Sequence, residues 1–184
     1  YLGASVSGAG DVNGDGYDDI LLGAPYDDEP DSSSNDYGAA FLYYGSATGP
    51  SNSPDWELIG GKTDDLLGWA VAGVGDLNGD GYDDFAIGVP QAENGHFNEG
   101  SIEVFYGSSA GPGASSDFSW ESDLNQSYTG YSIAGPGDVN GQLLSSRVTR
   151  TSWSPAFVVL VCSFGKRSAI QNLVSGAFPV GGKS

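Results

Sequence analysis

Apolar residues in this chain come in short runs rich in Val, Ile, Leu, Phe and Tyr, each bounded by Gly, Pro, Asn or Asp. β-Branched and aromatic side chains suit a pleated backbone, and the bounding residues suit turns, so the pattern predicts strands joined by turns. No stretch of useful length has helical period. One set of four strands is predicted at Trp69–Val74, Asp84–Val89, Ser101–Tyr106 and Asp117–Trp120, and Trp56–Ile59 takes the last place in an earlier set. The run Asp19-Ile20-Leu21-Leu22 does not alternate, which predicts a strand covered on both faces.

The strands belong to a repeat. Gly10-Asp11-Val12-Asn13-Gly14-Asp15-Gly16-Tyr17-Asp18-Asp19 returns as Gly75-Asp76-Leu77-Asn78-Gly79-Asp80-Gly81-Tyr82-Asp83-Asp84, and a truncated third copy reads Gly137-Asp138-Val139-Asn140-Gly141. Before the loop, Leu2-Gly3-Ala4-Ser5-Val6 matches Leu67-Gly68-Trp69-Ala70-Val71 and, more loosely, Thr129-Gly130-Tyr131-Ser132-Ile133. After it, Ile20-Leu21-Leu22-Gly23-Ala24-Pro25 matches Phe85-Ala86-Ile87-Gly88-Val89-Pro90, and Ala40–Ser46 matches Ile102–Ser108. Four antiparallel strands recurring at this interval predict an all-β chain made of propeller blades, with the acidic loop at the tip of the hairpin joining strands one and two of each blade. Residues 1–141 then form two near-complete blades and the start of a third.

The acidic loops carry the candidate chemistry. Oxygen ligands stand at loop positions one, three, five and nine: Asp11, Asn13, Asp15 and Asp19, then Asp76, Asn78, Asp80 and Asp84. Tyr17 and Tyr82 add a main-chain carbonyl at position seven. Hard oxygens at this density, on a glycine-rich backbone that curls around a point, predict two Ca2+ sites, because Ca2+ takes oxygen donors where softer metals take nitrogen and sulfur. The plainer reading is an acidic solvated turn, disfavoured because the spacing is met twice in register. An EF-hand needs a bidentate acid at position twelve, where Leu22 and Ile87 stand.

Paired Leu-Gly and Gly-Ala-Pro signatures flanking an Asp-x-Asn-x-Asp-Gly-x-x-Asp loop resemble the FG-GAP repeats of integrin alpha-chain β-propellers and of similar secreted microbial proteins. The usual Phe-Gly is Leu2-Gly3, Leu67-Gly68 and Thr129-Gly130 here, and Gly-Ala-Pro becomes Gly88-Val89-Pro90 in the second copy. The resemblance implies part of a seven-bladed propeller with calcium loops on the face opposite the ligand. It also implies a non-catalytic adhesion module at the cell surface or in the extracellular space, with a protein or glycan ligand and a beta-type partner subunit. Rival readings are an accessory propeller of a secreted hydrolase and a structural surface protein.

Composition narrows this further. The net charge of −18 is uneven: the acids all lie at or before Asp138, whereas Arg147, Arg150, Lys166, Arg167 and Lys183 follow it with no acid among them. The acidic part would repel nucleic acid and anionic lipid. No apolar run has the length of a membrane helix, so no direct membrane insertion of this chain is expected. A chain opening at Tyr1 without any Met reads as an internal or processed piece, and Cys162, the only cysteine, has no internal disulfide partner. His96, the only histidine, sits in a polar run and reads as a solvated loop residue. No Gly-x-Ser-x-Gly elbow, Cys/His pair or zinc spacing occurs, so no catalytic site is assigned. In the third copy Gln142-Leu143-Leu144-Ser145-Ser146 replaces the expected Asp-Gly-x-x-Asp, so no calcium is placed there. Residues 142–184 read either as a divergent third blade, with Val159–Gly165 as a strand, or as a reading-frame artefact.

Overall fold

The computed structural model describes residues 2–28, 35–122 and 124–135. Among the described residues eight strands form in chain order: β1 (Ser5–Gly10), β2 (Asp19–Ala24), β3 (Ala39–Tyr43), β4 (Trp56–Ile59), β5 (Val71–Gly75), β6 (Asp84–Val89), β7 (Ser101–Phe105) and β8 (Phe118–Glu121). They build two four-stranded antiparallel sheets, ordered β1-β2-β3-β4 and β5-β6-β7-β8. These are two blades of a partial propeller. The third acidic copy and the tail beyond it lie outside the described residues.

Register repeats with the sequence. Val6 pairs with Leu22 and Leu22 with Phe41; one unit on, Val71 pairs with Ile87 and Ile87 with Glu103. Each first hairpin carries an irregularity just before its loop, between Gly8 and Gly10 and between Gly73 and Gly75. A bulge there bends the strand as it enters the acidic loop.

The main core lies between the blades. Ala9, Val12, Leu21, Ala40 and Leu42 of the first sheet meet Val71, Phe85, Ile87 and Phe105 of the second, with Tyr44, Trp56 and Leu58 packed against them. Phe85 and Phe105 stack at 5.3 Å, and Trp56 meets both edge-on at 5.4 and 5.1 Å. The Trp56 Nε1–H donates to the Gly113 carbonyl at 2.9 Å, which satisfies its one polar group. A second cluster of Val74, Ala86, Ile102 and Val104, joined by Tyr106, Trp120 and Ile133, covers the other face of the second sheet.

Strand β2 departs from the expectation that both its faces are covered: Leu21 is fully buried while Ile20 is 36% exposed. Strand β6, its counterpart, is buried at every position. The cause is position. β6 has the first blade on one face and residues 129–135 on the other, whereas the Ile20 side of β2 has no neighbouring sheet among the described residues.

The blades are also stitched at the backbone. Gly38 bridges Leu67 and Gly100 bridges Thr129, both parallel. Left-handed residues recur in register around these bridges, Asp64 with Gln126 and Leu66 with Tyr128. A left-handed Leu or Tyr is uncommon, and its repetition marks a turn that the blade connection requires.

Candidate metal centre

Both acidic loops leave the end of a first strand, cross the hairpin tip and return on an acid that opens the second strand. Each carboxylate at position one gathers the loop amides: Asp11 Oδ1 accepts from Gly14 and Asp15 at 2.8 and 3.0 Å, and its Oδ2 from Gly16 at 2.9 Å. Asp76 repeats this with Gly79, Asp80 and Gly81 at 2.7, 3.1 and 2.9 Å. Asn13 and Asn78 each accept the amide of position five at 2.9 Å, and Asp15 and Asp80 accept that of position seven at 3.0 Å. The left-handed glycines Gly14 and Gly16 make this curl accessible, since few side-chain-bearing residues adopt it.

The acid at position nine is buried and anchors the loop to its own sheet. Asp19 accepts the Val12 and Gly45 amides at 2.9 Å each; Asp84 accepts those of Leu77 and Gly107 at 2.7 and 2.9 Å. Burial pushes the Asp84 carboxyl up to about 6, beyond what the Gly107 and Leu77 amides restore, and Asp76 and Asp80 add repulsion. Asp19 is raised for the same reasons, with Asp15 and Asp11 as its acidic neighbours.

The structure therefore gathers the sequence-predicted residues of each loop at one hairpin tip. Among the described residues, however, no group of three or more His, Cys, Asp or Glu side chains is arranged to hold a metal ion. The carboxylates are turned to backbone amides. The donor chemistry is nevertheless that of a hard cation: the side-chain ligands are carboxylate or amide oxygens, and Asp19 and Asp84 are each raised further by two acids of the same loop. Each carboxylate oxygen that accepts one amide retains a second lone pair.

Sequence reasoning passed over position eight. Asp83 reaches back to the preceding blade, where its Oδ2 accepts the Asp11 amide at 2.9 Å. Its equivalent Asp18 is exposed. The signal was visible as an acid at position eight in both intact loops, outside the ligand pattern.

At the opposite end of the strands, the connection between β6 and β7 is organised by Glu99, which is 1% exposed. It accepts the Asn94 and His96 amides at 2.6 and 3.3 Å and faces the His96 Nδ1 at 3.2 Å. His96 is on the surface, as expected of a loop residue. Trp69 stands between Tyr26 and Tyr131 at 6.0 and 5.0 Å.

The glycines of the repeat signatures explain why the units dock. A Cβ on Gly23 would overlap the Gly68 carbonyl, and one on Gly88 would overlap that of Gly130, so Leu67-Gly68 and Thr129-Gly130 each seat on the Gly-x-Pro turn of the blade before. The model of the FG-GAP repeat matches residues 2–43 and 67–101, which include Gly23, Gly68 and Gly88. Those two segments are FG-GAP repeats. Similar proteins are integrin alpha chains: integrin alpha-PS2 of Drosophila melanogaster is 39% identical over 116 residues, covering 61% of this chain and 8% of that protein. Integrin alpha-8 of Mus musculus is 37% identical over 146 residues, covering 76% and 13%. Integrin alpha-5 of Xenopus laevis is 33% identical over 147 residues, covering 77% and 14%. The matched part thus spans only a small fraction of each relative.

Proposed function

We propose that this chain is the calcium-binding part of an integrin-alpha-like adhesion propeller, a non-catalytic recognition module at the cell surface. The observation that carries the metal assignment is the repetition of one acidic scaffold, bond for bond, at the same hairpin tip of successive blades. Asp11, Asn13, Asp15, Asp19 and the Tyr17 carbonyl would hold one Ca2+; Asp76, Asn78, Asp80, Asp84 and the Tyr82 carbonyl would hold the other. The ion supplies positive charge that offsets carboxylate repulsion and braces the hairpin. No chemistry on a substrate is assigned to it.

Recognition belongs at the other end of the strands. The Gln91–Gly100 connection carries Phe97, 57% exposed, on a frame fixed by Glu99, and variable exposed loops on a rigid scaffold are where specificity resides. The likeness to integrin alpha chains supports a protein or glycan ligand and a beta-type partner subunit. The test is thermal unfolding of the full 184-residue chain with millimolar calcium and with chelator. Ca2+ that binds the folded loops raises the melting temperature by mass action. Asp80→Ala reduces that gain. A melting temperature indifferent to chelator would sink the calcium assignment.

A further inference from the structure

We propose that Asp83 of the second loop is a positioning residue for the first, so that the cation affinity of a loop depends on the blade that follows it. The inference rests on the calcium reading above and concerns what holds the site in shape. Asp83 takes both main-chain polar groups of Asp11: its Oδ2 accepts the Asp11 amide at 2.9 Å, and its own amide donates to the Asp11 carbonyl at 3.1 Å. A Cβ on Gly10 would overlap the Asp83 carboxylate, so the close approach depends on a glycine there. The Tyr82 ring lies where a Cβ of Gly14 would stand.

A second link runs parallel to the first. The Val12 amide donates to Asp19 Oδ2 at 2.9 Å, and the Val12 carbonyl accepts the amide of Ser108 at 3.0 Å. Ser108 follows Gly107, whose amide donates to Asp84 Oδ1 at 2.9 Å. One peptide chain of hydrogen bonds therefore joins the buried acid of the first loop to that of the second. Asp83 has no place among the bonds that curl its own loop, which go to Asp76, Asn78, Asp80 and Asp84. Removing its carboxylate leaves every donor of both sites present and releases the Asp11 amide, while the bond from the Asp83 amide to the Asp11 carbonyl stays.

Calcium chloride titrated into the full 15N-labelled chain separates the sites, because Gly14 and Gly16 amides report the first loop and Gly79 and Gly81 the second. In Asp83→Ala the first-loop midpoint should rise about tenfold, the scale of one lost charge-assisted hydrogen bond, while the second-loop midpoint stays in place. Asp83→Asn, which keeps an acceptor oxygen, should recover part of the loss, and Asp18→Ala should move neither midpoint. Unchanged first-loop binding in Asp83→Ala, or an equal shift of both loops, overturns the proposal. If Asp83→Ala does not fold, Asp83→Asn decides alone: a smaller shift confined to the first loop supports the proposal, and none refutes it. Failure of all four glycine amides to respond in the unsubstituted chain overturns the calcium reading and the positioning role with it. A response there without the Asp83 effect removes only the latter.

Discussion

Gly23 lies against the Gly68 carbonyl with no space for a Cβ. The contact joins the end of β2 to the entry of the next blade, and the Ser5 hydroxyl donates to the same carbonyl at 2.9 Å. Backbone on both sides leaves little room for relaxation. Gly23→Ala should therefore lower unfolding free energy by about 1–3 kcal/mol, the range for overpacked sites. Gly61, which has open space where a Cβ would go, is the control. Urea denaturation should show Gly61→Ala close to neutral.

Phe105 is fully buried and touches rings from both sheets, stacking on Phe85 and meeting Trp56. Truncating it removes apolar burial and opens a cavity that two rigid aromatic neighbours fill poorly. Phe105→Ala should cost about 3–5 kcal/mol. Phe97→Ala, at an exposed ring, should be nearly silent in the same denaturation experiment.

Much of this was legible in the residues. Turn-bounded apolar runs located the four strands of the second blade and the last of the first, and repetition located the hairpin tips, because a strand needs only local alternation and a turn needs only local Gly, Asn and Asp. What escaped depended on neighbours. Ile20 and Phe85 hold equivalent places, yet one is open and the other buried, since burial is decided by the adjoining sheet. Asp83 escaped for a related reason: its partner is Asp11, in the previous repeat, and ligand spacing within one loop carries no trace of that bond.

Asp65 gives the chain a pH dependence away from the acidic loops. Burial pushes its carboxyl up to about 6; Lys62 opposes this, and Glu93 and Asp64 add to it. The Lys62 ammonium donates to the Glu93 carbonyl and Asn94 Oδ1 at 3.1 and 3.0 Å. A folded pKa above the ordinary 3.8 means that the folded state binds a proton more readily than the unfolded one. This group's contribution to stability is thus fully present below 3.8 and lost as pH rises through about 6. At neutral pH Asp65→Asn should melt higher than the unsubstituted chain. The gap should narrow as pH falls through 6 and close near 3.8. Melting curves at a series of pH values check this, and a gap that widens on acidification would contradict it.

The β6–β7 connection is predicted to owe its shape to Glu99. Its carboxylate gathers the Asn94 and His96 amides and the His96 ring. The loop is also tied outward, because Phe97 donates to Asn125 Oδ1 at 2.9 Å and Gln126 donates to the Phe97 carbonyl at 2.7 Å. These two sets of bonds make separable demands on exchange. Both amides donate to Oε1 while Oε2 faces His96 Nδ1, so Glu99→Gln, which retains one acceptor oxygen, should leave exchange at Asn94 and His96 close to that of the unsubstituted chain. Glu99→Ala should speed both while leaving the Gln126 amide protected, since Gln126 bonds to the main chain of Phe97. Loss of protection at Gln126 in step with Asn94 would mean that the whole connection opens as one unit, with Glu99 as only one of its several fastenings. Protection that survives at Asn94 in Glu99→Ala would show that the loop is held from outside, through Phe97 and Lys62, and that its buried acid follows the loop's shape without setting it.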